Sequence, residues 1–203
     1  ITVGAIGLPE YGTAFVRGML EDTRPKKFSE LVRVSGFSHG TNVWLNNARD
    51  LITSGQVKLE EAISTRDDIM NYLIAHGVDP LVSFKVMENV RKGKGFEKGG
   101  SNNLAKLKEA GIPQWFIESC LKIVYLFPRA HAVAYAMVAF RLAWFKVYYP
   151  LAYYAAYFSV RAEGAFNAAV ILKGLEAQKA ELARINSIPH PTAVEKGQTT
   201  ILE

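Results

Sequence analysis

Pro128-Arg129-Ala130-His131-Ala132-Val133-Ala134-Tyr135-Ala136-Met137-Val138-Ala139-Phe140-Arg141-Leu142-Ala143-Trp144-Phe145-Lys146-Val147-Tyr148-Tyr149-Pro150 carries a proline at each end and neither glycine nor an acid between them. Proline suits the first turn of a helix and breaks an interior, so the stretch reads as one long helix. It opens at Pro128 or Arg129 and runs to about Tyr149, and Pro150 restarts a helix through Val160. Its apolar run, Ala132–Phe140, has nine residues. A membrane span needs roughly 20, so this is a buried or half-buried helix of a globular domain and no membrane partner is expected.

The same punctuation recurs on both sides. Upstream, Pro9 opens a run over Glu10–Leu20 interrupted by Gly12, and Phe28–Val34 is a short helix stopped by Ser35-Gly36. Thr41 caps a turn carrying Val43, Trp44 and Leu45, continued by Ala48–Ile52. Ser64 and Asp67 have capping-box spacing ahead of Ile69–His76, which Gly77 ends. Asp79-Pro80 starts a further helix ending near Arg91. Lys92–Asn103, K-G-K-G-F-E-K-G-G-S-N-N, reads as a flexible loop. Beyond it, Leu104–Ala110 is a short helix, Pro113 opens one reaching Lys122–Tyr125, and a last helix covers about Phe166–Ile185 before Ser187–Pro191 ends regular structure. The expected fold is all-α, an irregular multi-helix arrangement in two lobes: residues 1–95, a linker at 96–103, residues 104–187, and an irregular tail at 188–203.

Composition excludes a disordered tail, with 49% hydrophobic and 21% charged residues. The net charge of +5 is modest, but its placement is uneven. Between Ser119 and Ala162 there is no acid, while Lys122, Arg129, Arg141, Lys146 and Arg161 are interleaved with Tyr125, Tyr135, Trp144, Tyr148, Tyr149, Tyr153, Tyr154 and Tyr157. A basic, aromatic surface suits a phosphodiester partner, because cations displace counterions and rings stack on bases. Rings filling a helical core would show the same spacing, and both readings stay open. Cys120 is the sole cysteine, which excludes an internal disulfide and a four-thiolate zinc site and fits a reducing compartment. The chain opens Ile1-Thr2-Val3-Gly4 without an initiator methionine or a basic segment leading an apolar one. It is therefore expected to lack a signal peptide, to be cut from a longer polypeptide and to reside in the cytoplasm.

Metal and nucleophilic chemistry find little support. His39, His76, His131 and His190 share no ligand spacing. Asp67 and Asp68 are adjacent, so on a helix they point about 100° apart, and as first-turn acids they have a structural reason to be there. No metal ligand and no catalytic residue is expected. Cys120 reads as a buried thiol, and Gly93-Lys94-Gly95 lacks the rest of a phosphate loop. Arg66 is different. An arginine in a helix's first turn opposes the dipole unless an anion is bound or a neighbour pairs with it. Arg129 and His131 sit alike at the start of the long helix, with Tyr135 following on the same stripe. Lys92 and Lys94 form a basic turn suited to a DNA backbone, and Arg141 and Lys146 continue the charge along the long helix.

Several ordered blocks resemble a known family. They are Gly7-Leu8-Pro9-Glu10-Tyr11-Gly12-Thr13, Phe28-Ser29-Glu30-Leu31-Val32, Ser35-Gly36-Phe37-Ser38-His39-Gly40-Thr41, Arg66-Asp67-Asp68-Ile69-Met70, Val90-Arg91-Lys92-Gly93-Lys94-Gly95, Phe127-Pro128-Arg129-Ala130-His131-Ala132-Val133-Ala134-Tyr135 and Tyr154–Glu163. Over about residues 1–187 the chain resembles the C-family bacterial replicative DNA polymerases, specifically the alpha subunit of DNA polymerase III in the PolC form of low-G+C Gram-positive bacteria. The resemblance implies the fingers domain, which binds the incoming deoxynucleoside triphosphate and contacts primer–template DNA. It implies nucleotide contacts at Arg66, Arg129, His131, Tyr135, Ser38 and His39, and DNA contacts at Lys92, Lys94, Arg141 and Lys146. Arg129 stands where lysine is more usual, Gly164 where an acid is common, and Phe96–Asn103 departs from the family's charged segment. The palm's aspartates are not recognisable. The parent enzyme would therefore hold Mg²⁺ through a palm outside this chain, meet the sliding clamp through other regions, and polymerise only as a whole. A stand-alone helical nucleic-acid-binding module and a helical scaffold binding protein through its basic face are the other two classes.

Overall fold

A computed structural model describes residues 3–96, 102–161 and 166–202. Among the described residues there are twelve α-helices and no strand, so the all-α expectation is met. In chain order they are α1 (Ala14–Thr23), α2 (Phe28–His39), α3 (Arg49–Thr53), α4 (Arg66–Ala75), α5 (Pro80–Val90), α6 (Asn103–Glu109), α7 (Gln114–Lys122), α8 (Arg129–Tyr148), α9 (Pro150–Ala156), α10 (Ala168–Ile171), α11 (Leu175–Asn186) and α12 (Ala193–Leu202). The helices group into two compact units. One comprises Ile1–Val3 with Thr13–Val138, the other Gly4–Gly12 with Ala139–Glu203. Residues on both sides of the expected linker at 96–103 thus fall in unit one.

In unit one, the first helix starts later than the proline suggested. Pro9 lies in a run of turns, and Thr13 is the cap, its hydroxyl accepting from the Val16 amide at 3.3 Å. Helix α2 runs past Ser35-Gly36 to His39. Gly36 is not a stop: a Cβ there would lie 2.7 Å from the Ser64 carbonyl oxygen and 3.0 Å from Thr65 Cγ2. The glycine lets α2 press against the backbone that starts α4, and contact energy outweighs its poor helix propensity. The capping box of α4 is Thr65 with Asp68, one residue later than expected from Ser64 and Asp67. Asp79 caps α5 as expected, accepting from the Leu81 and Val82 amides at 3.0 Å each. Between α2 and α3 the chain makes an irregular turn over Trp44–Ala48, with Leu45 extended and Asn46 left-handed.

The loop expected to be flexible over 92–103 is tied down at its start. The Gly93 amide donates to the Val90 carbonyl and the Lys94 amide to the Asn89 carbonyl, each at 2.9 Å. Gly93 has φ of +66° and packs so that a Cβ would meet the Val124 carbonyl oxygen at 2.8 Å, so it is held by conformation and by contact. Phe96 is buried and its carbonyl accepts from Asn103 Nδ2 at 3.0 Å. Residues 97–101 lie outside the described residues. An isolated bridge pairs Thr41 with Tyr125. The core of this unit includes Met19, Val34, Phe37, Ile69, Leu73, Val86, Phe116 and Leu126.

In unit two, the turn at 4–12 is fastened to helices α8 and α9. Lys146 Nζ donates to the carbonyls of Gly4 at 2.8 Å and Ile6 at 2.6 Å, and Tyr153 Oη to that of Gly7 at 2.7 Å. Burial pushes the Tyr153 phenol up to about 12. The helix expected over Phe166–Ile185 is two, broken at Gly174 with φ of +88°. An irregular tail is expected after 187, yet α12 forms there. Thr192 and Glu195 make a reciprocal capping box, with the Thr192 amide donating to Glu195 at 2.8 Å and the Glu195 amide to Thr192 Oγ1 at 3.2 Å. No helix among the described residues is long and apolar enough to cross a membrane.

Candidate functional site

The first turn of α4 is built around one carboxylate. Asp68 Oδ2 accepts from the Ser64 amide at 3.0 Å and hydroxyl at 2.8 Å, and from the Thr65 amide at 2.8 Å and hydroxyl at 3.0 Å. Arg33 of α2 approaches the same oxygen at 3.4 Å and donates to the Ala62 carbonyl at 2.7 Å. Burial pulls the Arg33 guanidinium below its usual value, and the attraction of Asp68 opposes that. Asp68 Oδ1 accepts from Arg129 Nη2 at 2.6 Å. Neighbouring Asp67 accepts from the Arg129 backbone amide at 2.7 Å and so caps α8 from another element. The two adjacent carboxylates both meet Arg129, one at its backbone amide and one at its guanidinium, and with Arg33 they join α2, α4 and α8.

Phe127 is the junction of this arrangement. Its carbonyl accepts from the Arg66 amide at 3.0 Å, which sets the starts of α4 and α8 side by side. Its ring lies 5.0 Å from His131 and 5.2 Å from His39. His131 is 4.5 Å from the Tyr135 ring, and Tyr135 stacks at 5.8 Å on His39. His39 Nδ1 is 2.7 Å from the Ser35 carbonyl and 3.0 Å from Ser38 Oγ. A nitrogen facing a carbonyl carries the proton when the ring is neutral, which leaves Nε2 as an acceptor. Tyr135 is 38% exposed, so its ring is not core filling.

All six expected nucleotide contacts, Arg66, Arg129, His131, Tyr135, Ser38 and His39, therefore fall within unit one around Phe127. The half-buried Arg66 guanidinium has no hydrogen bond or ion pair among the described residues. Arg129 is paired with Asp68, yet its side chain stays 42% exposed. Sequence reading missed Arg33 and Phe127. Arg33 has no local signal, since it meets its partners across the fold, whereas Phe127 and His131 are an aromatic pair four residues apart.

The expected DNA contacts divide. Lys92 is exposed and pairs with Glu88 at 3.0 Å, and Glu88 is held at about 2 chiefly by its hydrogen bond from Arg91. Lys94 and Arg141 are exposed. Lys146 is committed to the Gly4 and Ile6 carbonyls, so it has the least to offer a phosphate. Trp144, Tyr148, Tyr149 and Tyr154 are exposed and Tyr153 is buried, so most of the aromatic series lies at the surface of this chain. Cys120 is buried, which drives its thiol well above the usual value. No group of three or more histidine, cysteine, aspartate or glutamate side chains converges among the described residues in a way that could hold a metal.

The sequence model of the bacterial DNA polymerase III alpha subunit finger domain matches residues 2–110. The chain belongs to that finger-domain family. The fingers domain is of PolC type: it is 55% identical over 201 residues to the DNA polymerase III PolC-type of Thermotoga maritima, covering 99% of this chain. The PolC-type proteins of Caldanaerobacter subterraneus and Clostridium perfringens are 55% and 54% identical over 202 residues, again across 99% of the chain. The chain spans 14% of the length of each of these three relatives.

Proposed function

We propose that this fingers domain binds the incoming deoxynucleoside triphosphate and contacts primer–template DNA within a replicative DNA-directed DNA polymerase. The observation that carries the reading is the Arg66 guanidinium, without a protein partner among the described residues, on a residue whose backbone amide is bonded to the Phe127 carbonyl just ahead of α8. A triphosphate supplies the anion that such an arginine lacks, and charge-assisted hydrogen bonds are roughly twice as strong as neutral ones. Arg129 adds a second cation, Ser38, His39 and His131 add hydrogen-bonding groups, and the Tyr135 ring offers a face to the nascent base pair. Lys92, Lys94 and Arg141 suit DNA phosphates.

In this reading the chemistry of nucleotidyl transfer belongs to the whole enzyme. Mg²⁺ would be held by palm carboxylates outside this chain and would stabilise the attacking and leaving oxygens. The domain alone would position substrate without joining it to a primer. The rest of the polymerase would be its main protein partner, with the sliding clamp met through other regions, in the cytoplasm.

Titrating the chain with dNTP and, separately, with primer–template DNA at rising salt tests this. Weak dNTP binding that disappears in Arg66→Ala is expected, alongside DNA binding that weakens as salt rises. Salt-sensitive DNA binding with no dNTP binding would favour a stand-alone DNA-binding module. Binding to neither would leave a helical scaffold.

A further inference from the structure

We infer that Asp68 is a positioning residue for the proposed nucleotide site, holding one edge of the Arg129 guanidinium so that the other edge faces the triphosphate. The inference rests on the reading that Arg129 meets nucleotide. The two oxygens of Asp68 have separate duties. Oδ2 is saturated by the amides and hydroxyls of Ser64 and Thr65, with Arg33 at 3.4 Å. Oδ1 receives Arg129 Nη2 at 2.6 Å. A carboxylate so fixed cannot turn, so the guanidinium it holds is fixed in turn.

Arg129 is anchored twice, its backbone amide on Asp67 at 2.7 Å and its guanidinium on Asp68. Among the described residues only Nη2 is used, and 42% of the side chain remains exposed, against 7% for Asp68 and 15% for Arg33. A planar fork can dock by one edge and still offer donors on another, which a single ammonium cannot do. Arg33 supplies the buried countercharge to Asp68, so the clamp does not cancel the charge that Arg129 presents. Pre-docking also removes, before binding, much of the ordering cost of a long side chain.

Asp68→Asn separates the clamp from the cap. The amide oxygen can replace Oδ2 and accept the same four hydrogen bonds, while its NH₂ then faces Arg129 Nη2, donor against donor. In the full-length polymerase carrying this chain, Asp68→Asn is expected to raise the dNTP KM roughly tenfold, the scale of a lost hydrogen bond to a charged group. The kcat should change little, and the melting temperature should fall less than in Asp68→Ala, because the cap hydrogen bonds stay while the charge opposite Arg33 is lost. Arg129→Ala should raise KM as well, and the double variant should match Arg129→Ala alone. An unchanged or lowered KM in Asp68→Asn, with KM raised in Arg129→Ala, overturns the positioning role and leaves the site reading standing. An unchanged KM in Arg129→Ala removes Arg129 from the site and the inference with it. Should Asp68→Asn fail to fold, Arg129→Lys decides: a raised KM supports the two-edged clamp, and a wild-type KM overturns it.

Discussion

Replacing Asp68 by alanine is expected to destabilise the fold by about 3–5 kcal/mol, the cost of removing one partner from a buried ion pair. The carboxylate is 7% exposed and Arg33 is 15% exposed, so neither finds much solvent when the other is lost. Truncation orphans the Ser64 and Thr65 amides, strips the cap from α4 and leaves the buried Arg33 charge with the Ala62 carbonyl and the weaker attraction of Glu60. Asp68→Asn keeps the four cap hydrogen bonds but still removes the charge opposite Arg33, so it should lose less than the alanine variant. Asp67→Ala, which removes one acceptor from the α8 amide, should cost about 1 kcal/mol, the usual value of a helix cap. Urea unfolding of the three variants checks the order. Equal losses at 67 and 68 would mean that Asp68 acts only as an ordinary cap.

Gly36→Ala is expected to destabilise by about 1–3 kcal/mol, as overpacking does. The sign makes the test sharp. In an exposed helix interior the same change would stabilise by roughly 0.8–1 kcal/mol, because alanine is the better helix former. Here the added methyl would stand 2.7 Å from the Ser64 carbonyl oxygen and 3.0 Å from its carbon, and backbone cannot swing aside as a long side chain can. Relief requires moving α2 away from the start of α4, which also loosens Arg33 on Asp68. A shift of the denaturant midpoint to lower urea with an unchanged slope is the expected result. A gain in stability would show that α2 and α4 do not approach so closely.

Much of the fold was legible from local chemistry. Asp79-Pro80, Gly77 and the proline-bounded stretch around α8 mark boundaries because their signals are contained in a few neighbouring residues. Gly36 misled because a glycine that ends a helix and one that admits a neighbour's backbone look alike in sequence, and only Ser64 across the fold distinguishes them. The Thr192–Glu195 capping box that starts α12 was readable and was masked by the prolines before it. The candidate site divides in the same way. Arg66 stood out locally as a cation in a first helical turn, where positive charge is unfavourable. The union of Arg33, Asp68 and Arg129, which sets how Arg129 is held, depends on partners 35 to 61 residues from Asp68 and left no local pattern.

The central claim is that this fingers domain grips the triphosphate through Arg66, and the dNTP KM of the full-length polymerase carrying Arg66→Ala tests it most directly. The guanidinium has no protein partner to lose among the described residues, so folding should be unaffected. A KM raised roughly tenfold or more, the loss of a charge-assisted hydrogen bond, with an unfolding transition superimposable on that of the unaltered enzyme, is the predicted result. An unchanged KM and kcat in a normally folded enzyme would contradict it.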